Sequence, residues 1–333
     1  MITCKDIAAL VGVSRQAVTA VLNNSRPNCV SREKREEILM VAAKHHYRPN
    51  HAALALKTGK SNLIGIVMPA WNNPYIAELC MGLQQSLAAR NYTPLFTIDN
   101  NYNPVPGNLE QLLSLHVGGI ISVAASLLPD NIDIPVVSYY YDDPRFDSVC
   151  PNFKEDARLV FSYLQECGHR KIGYLGSLND QRIPYWISEA ERCGLEFRES
   201  WRINSDGDDP ADAFDRLLEM NRGRELPGVL IVHYDALAQR LMSRIKERGF
   251  RIPEDFSIIG HDNISADDYT FPALTSVSSG TPGEIADTMV ELLIKRMNDS
   301  ARPRKKVLLD PELIKRQSVL ETAQKNNRKE IRK

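Results

Sequence analysis

Apolar residues in the first 46 positions recur at helical spacing in three short bursts. The first is Ile7, Ala8, Leu10 and Val11, the second Val18, Val21 and Leu22, and the third Ile38, Val41 and Ala42. Each burst follows a residue suited to start a helix. Thr3 with Asp6 three residues on resembles a capping box, Ser14 precedes a helix from Arg15 to about Leu22, and Ser31 precedes one from Arg32 to about His46. Gly12 breaks the first helix, and Ala8 is small enough for the second helix to cross closely there. Two short helices joined by a glycine turn, closed by a third, predict a helix-turn-helix. Pro49 stops the third helix, and Asn50 can cap a short Ala/Leu helix from His51 to Lys57. A helix that short needs a partner surface to be stable in water.

From Leu63 the pattern changes. Short β-rich apolar runs, at 63–68, 94–98, 119–123, 134–139, 171–175, 228–232, 256–260 and 274–277, alternate with helical stretches such as 75–90, 154–167 and 236–248. This alternation predicts parallel sheets covered by helices on both faces, and the length suits two such lobes with a change of character near Asn152. A ligand is expected between the lobes, at the C-terminal ends of the strands.

Composition adds bounds. The chain has 333 residues, 43% hydrophobic and 25% charged, which is too long for one ordinary domain. The sequence holds no apolar run of membrane length and no secretion signal at its start, so a cytoplasmic protein without membrane attachment is expected. Six scattered cysteines form no metal pattern and read as reduced thiols, and no cofactor or metal is expected. Charge is uneven: residues 1–60 hold ten Lys/Arg and four Asp/Glu, a net of +6, whereas the remainder holds 31 and 38, a net of −7. A basic head on an acidic body suggests that the head meets a polyanion.

The second helix of such a motif enters the major groove with its N-terminal residues toward the bases. Arg15 and Gln16 stand there, suited to guanine and adenine edges, with Thr19 and Ala20 one turn on. The alternative is a small three-helix bundle with solvated Arg and Gln.

The run KDIAALVGVSRQAVTAVLNN, then Val30–Ser31, YRPN and ALALKTGKSNLIG resemble the DNA-binding head and hinge of the lactose-repressor family (LacI/GalR) of bacterial regulators. The resemblance implies base reading at Arg15, Gln16 and Ala20, backbone contacts from Ser14, Thr19, Asn23 and Tyr47, and a minor-groove wedge at Leu56 from hinge helices paired in a dimer. Thr3, Asn50 and Ala53 complete the candidate DNA contacts. Ala20 departs from relatives that carry Arg there, and it can at most touch a thymine methyl.

AWNNPYIAEL, CGHRKIGYLG, IPEDFSIIGHDN, FPALTSV and LLDPELIKRQS extend the resemblance to about Ser318, implying a body like the periplasmic sugar-binding proteins. Candidate effector contacts are Trp71, Asn73, Tyr75, Asn152, Arg182, Trp186, Tyr234, Asp235 and Asp262, with Tyr185 also beside the presumed cleft. Each has a plainer alternative: Asn73 can cap a helix begun by Pro74, Arg182 can be solvated, Asp262 can close a turn, and the aromatics can pack the lobe boundary. Two departures stand out: Pro151–Asn152 replaces a common Asp-Asn, and Tyr234–Asp235 replaces Asn-Asp. Aromatic faces stack on sugar rings, which favours a sugar or related metabolite.

The expected architecture is α/β: an all-α helix-turn-helix head (1–46), a hinge helix and linker (47–61), and two lobes of doubly wound parallel sheet (62–158 with 278–306, and 159–277 with 307–320). A polar tail (321–333) follows. That tail lacks leucine heptads, so a homodimer rather than a tetramer is expected, on a pseudo-palindromic double-stranded operator. No G-x-S-x-G, P-loop, H-E-x-x-H or G-x-G-x-x-G is found, which argues against an enzyme. A solute-binding protein is the alternative, but it gives residues 1–60 no purpose.

Overall fold

The computed structural model describes residues 2–22, 30–47, 61–68, 73–98, 107–123, 128–129, 132–205 and 210–321. Asn23, Asn50, Ala53, Leu56 and Trp71 lie outside the described residues, as do most of the connector and the tail. Residues 1–62 and 63–333 form two compact units.

The first unit holds helices α1 (Cys4–Val11), α2 (Arg15–Leu22) and α3 (Arg32–Lys44). The capping box at Thr3 is formed, with Thr3 Oγ1 accepting from Asp6 N–H at 3.3 Å and Asp6 Oδ2 accepting from Thr3 N–H at 2.9 Å. Gly12 ends α1 at φ 71°, a left-handed conformation in which a side chain would be strained, and its N–H reaches Ala8 O at 3.0 Å. Ser14 Oγ then accepts from Ala17 N–H at 3.1 Å and starts α2. Ile7, Ala8, Val11, Val18, Val21, Ile38 and Ala42 close the core, with Tyr47 packed against it.

The second unit contains two six-stranded sheets. The first runs β11–β5–β4–β3–β1–β2, built from β1 (Leu63–Met68), β2 (Thr93–Ile98), β3 (Gly119–Val123), β4 (Val136–Tyr139), β5 (Asp147–Pro151) and β11 (Lys306–Leu309), all parallel. The second runs β12–β10–β9–β8–β6–β7, from β6 (Ile172–Gly176), β7 (Arg202–Asn204), β8 (Val229–Val232), β9 (Ser257–His261), β10 (Thr275–Ser278) and β12 (Glu312–Ile314). Only β12 is antiparallel to its neighbour. The central strands are buried apolar runs, as expected when helices cover both faces of a parallel sheet.

Helices α4 (Pro74–Ala89), α5 (Asn108–Ser114) and α10 (Pro282–Asn298) serve the first lobe, and α6 (Phe153–Glu166), α7 (Ile183–Cys193), α8 (Pro210–Met220) and α9 (Asp235–Glu247) the second. Gly82 admits α10 against α4, because a Cβ there would lie 3.0 Å from that of Ala286.

Two lobe boundaries differ from those expected. Residue 158 cannot divide the lobes, because α6 is one continuous helix whose Ala157, Val160 and Phe161 sit in the second lobe's core. The crossing falls at Asn152. Residues 307–309 likewise belong to the first lobe, since Val307 and Leu309 extend its sheet beside β5. The third passage lies between Ser278 and Pro282.

Candidate functional site

Two surfaces carry the candidate chemistry, one on each unit. On the first, Ser14, Arg15 and Gln16 are exposed at the N-terminal end of α2. Thr19 is half-buried and its hydroxyl donates to Arg15 O at 2.9 Å. Ala20 is buried, only 7% exposed, so it packs in the head rather than offering its methyl to a base. That corrects the base-reading role expected of it. Tyr47 Oη lies 2.9 Å from Cys4 Sγ, and burial together with that hydrogen bond pushes its phenol up to about 12. Thr3 is exposed and its side chain is engaged in the α1 cap.

The second surface lies where the two sheets present their strand ends. Asn73 caps α4, its Oδ1 accepting from Tyr75 N–H at 3.0 Å. Its Nδ2 crosses the lobe boundary and donates to Asp262 Oδ2 at 3.3 Å. Burial pushes the Asp262 carboxyl up to about 7, against the pull of Asn73 and of the Arg182 charge. Asp262 follows β9 at φ 112°, an unusual conformation for a non-glycine residue, and Asn263 follows at φ 53°. Ile264 then inserts into the first lobe's core among Ile66, Met68 and Tyr75. The segment 262–264 therefore ties the lobes together by one polar and one apolar contact.

Arg182 and Trp186 are brought together, but inward. Arg182 is 5% exposed and grips Asp180 through Nε (3.1 and 3.0 Å) and Nη2 (2.6 Å), with Nη2 also reaching His233 O at 2.7 Å. Its guanidinium carbon lies 5.1 Å from the Trp186 ring centroid. Burial opposes ionisation of Asp180, but the Arg182 charge and the His233 hydrogen bond outweigh it and hold the carboxyl well below the usual range. Trp186 is fully buried and its indole N–H donates to Asp156 Oδ1 at 3.1 Å. It supports the arginine from beneath and offers no open face for a sugar.

Three other expected contacts have structural duties. Tyr75 is buried in the first lobe's core, its hydroxyl 2.5 Å from that of Tyr139. Asn152 caps α6 through Oδ1 (3.4 Å to Glu155 N) and donates from Nδ2 to Asp310 at 3.1 Å, joining two of the lobe crossings. Asp235 is fully buried and accepts from Ser276 Oγ (2.9 and 2.7 Å) and Ile264 N–H (3.3 Å). Tyr234, half-buried at the start of α9, stands edge-on to His233 with ring centroids 5.5 Å apart.

The aromatic wall is made partly by residues that sequence reasoning missed. Tyr140, at φ 71° beyond β4, packs on Phe153 (centroids 5.1 Å apart), which in turn meets Tyr185 at 6.4 Å. The row runs from the first lobe to the second. Only the triplet Tyr139–Tyr140–Tyr141 hinted at it. Among the described residues no group of three His, Cys, Asp or Glu could hold a metal, and no helix is long and apolar enough to cross a membrane.

A helix-turn-helix unit preceding a two-lobed α/β body is the arrangement expected of ligand-sensing DNA-binding regulators. Residues 3–50 match the family model for bacterial regulatory proteins, lacI family, and residues 161–319 that for a periplasmic binding protein-like domain. Residues 3–50 thus resemble the DNA-binding head of the lacI family. Similar proteins include the HTH-type transcriptional repressor PurR of Pasteurella multocida, 28% identical over 334 residues (96% of this chain, 99% of the relative). Its counterpart in Mannheimia succiniciproducens is 27% identical over 339 residues, covering 97% and 100%. Among solved structures, the lac repressor dimer bound to operator and the anti-inducer ONPF superposes with a TM-score of 0.80 at 23% identity, over 96% of this chain and 99% of that one. A transcriptional regulator CelR–cellobiose complex gives a TM-score of 0.66 at 20% identity, over 96% and 100%.

Proposed function

We propose that this protein is a sequence-specific transcriptional repressor that binds a pseudo-palindromic operator as a homodimer in the cytoplasm and is modulated by a small ligand in the cleft. The observation that carries the reading is the exposed Arg15–Gln16 pair at the front of α2 in a chain whose body has a cross-lobe contact, Asn73 to Asp262. The relatives named PurR are transcriptional repressors, and the lac repressor neighbour was solved on its operator, which supports the DNA half. The CelR neighbour holds cellobiose, which supports a sugar or related metabolite for the cleft.

Asp262 and Asn73 are the polar ligand contacts in this reading, with Tyr140, Phe153 and Tyr185 supplying ring faces. Arg182, Trp186 and Asp235 act from behind them. The protein works by binding alone, making and breaking no bond. A screen of sugars and related metabolites by melting temperature tests the cleft. A ligand present at about 100 times its dissociation constant adds roughly 2.7 kcal/mol of stability. A hit that also changes operator affinity supports the reading. A ligand that binds while operator affinity stays fixed favours a solute-binding role.

A further inference from the structure

Behind Asp262 lies a pair of carboxyls that neither DNA nor ligand would touch. Asp235 opens α9 and Asp267 sits in the short helical turn Ser265–Tyr269; both are wholly buried. Asp235 receives the Ser276 hydroxyl and the Ile264 N–H. Ser276 Oγ in turn accepts from Asn263 N–H at 3.0 Å. Asp267 Oδ1 receives Gln239 Nε2 at 2.8 Å, from one turn after Asp235 on α9. Asp267 Oδ2 has no donor among the described residues. A bare carboxylate oxygen buried without a donor costs several kcal/mol, and two adjacent buried carboxylates cost more. A proton between the carboxyls removes both penalties, because one O–H then donates to the other group's oxygen. Gly260 keeps the space: a Cβ there would run into Asp235 Oδ1.

We infer that Asp235 and Asp267 hold one proton between them, and that this shared proton positions the segment 262–270 and with it the Asp262 carboxyl at the lobe boundary. Burial, reinforced by Asp267 and Asp262, pushes Asp235 well above the usual carboxylate range. Burial also raises Asp267, against the hydrogen bonds from Asp235 and Gln239 and the Arg316 charge. Among the described residues, Asp262 and Arg316 also face the pair. Arg316 clasps the same segment, donating to Asp268 Oδ1 (2.6 Å), Asn263 Oδ1 (2.8 Å) and Leu274 O (2.8 Å). The positioning role rests on reading Asp262 as a ligand contact; the proton sharing does not.

A carboxyl whose folded value is raised contributes stability that is complete below its unfolded value and is lost as pH rises through the folded one. Urea unfolding of the full chain between about pH 5 and 9 reads this directly, at up to about tenfold in the folding equilibrium per pH unit for one proton. Carboxyls held low, such as Asp180, act only at more acid pH. Asp267→Asn supplies a donor without charge, so its folding equilibrium should fall less steeply than the parent's, by up to about tenfold per pH unit. Asp235→Asn should behave alike if Asp267→Asn does not fold. In the unmodified protein, infrared spectroscopy at neutral pH should show a protonated-carboxyl band that weakens in either variant. Amide protection over 262–270, taken relative to the intrinsic exchange rate at each pH, should fall at alkaline pH in the parent and not in Asp267→Asn. Parallel pH profiles, or an unchanged carboxyl band, would overturn the inference whatever the metabolite screen finds.

Discussion

The outer face of α2 and the second lobe's side of the cleft use the same residue types in opposite ways. On α2, Arg15 and Gln16 stand in solvent on a helix fixed by local caps. In the cleft, Arg182 is withdrawn into a bidentate grip on Asp180, over a tryptophan bonded to a buried aspartate. A surface that meets a polyanion gains by keeping its donors available, since each cation there releases counterions on contact. A pocket that must hold one shape uses its charged groups to fix itself beforehand, which lowers the ordering cost of binding. The same residue, arginine, is therefore held in solvent in one place and is a brace in the other.

Substitutions can break this contrast. The largest effect is expected at the brace. Arg182→Ala leaves Asp180 buried without its counter-charge, and should cost about 3–5 kcal/mol in urea unfolding. A loss no larger than that of a surface substitution would show that Arg182 is a free ligand contact after all. A smaller, different effect is expected at Arg15. Arg15→Ala should leave unfolding within about 0.5 kcal/mol of the parent. It should also relax preference at one symmetric base pair by about 1–3 kcal/mol. Equal weakening on specific and random duplexes would assign Arg15 to phosphate. Smallest is the cap: Ser14→Ala removes the acceptor for Ala17 N–H and should cost roughly 1 kcal/mol of head stability. Its effect on base preference should be slight, and a large one would move Ser14 into the reading set.

The two regions also differed in how much the sequence revealed. The head was legible nearly to the residue because its signals are local: Thr3, Gly12, Ser14 and Ser31 each act within four positions. Ala20 was misplaced because a family position tells where a side chain is attached, not how closely the helices pack. In the body, the eight apolar runs gave β1–β4, β6 and β8–β10, but they missed β5, an interior strand that begins with Asp147 and Ser148. The edge strands β7, β11 and β12 are three or four residues long, carry polar side chains and are set by pairing alone. The cleft was least legible. Its partners are far apart in the chain, Asn73 with Asp262 and Asp156 with Trp186, and no spacing announces such pairs. Asp235 shows the difficulty best: at the strand end it looks like a ligand contact, and only the packing of Ser276, Ile264 and Asp267 around it reveals a buried carboxyl.

The most direct test of the account is selection by the purified full-length protein from a random pool of DNA duplexes. The account predicts enrichment of one pseudo-palindromic sequence, with affinity that falls steeply with salt, at a log–log slope near −5 if about six phosphates are neutralised. Failure to enrich any sequence, with or without a metabolite that raises the melting temperature, would contradict it.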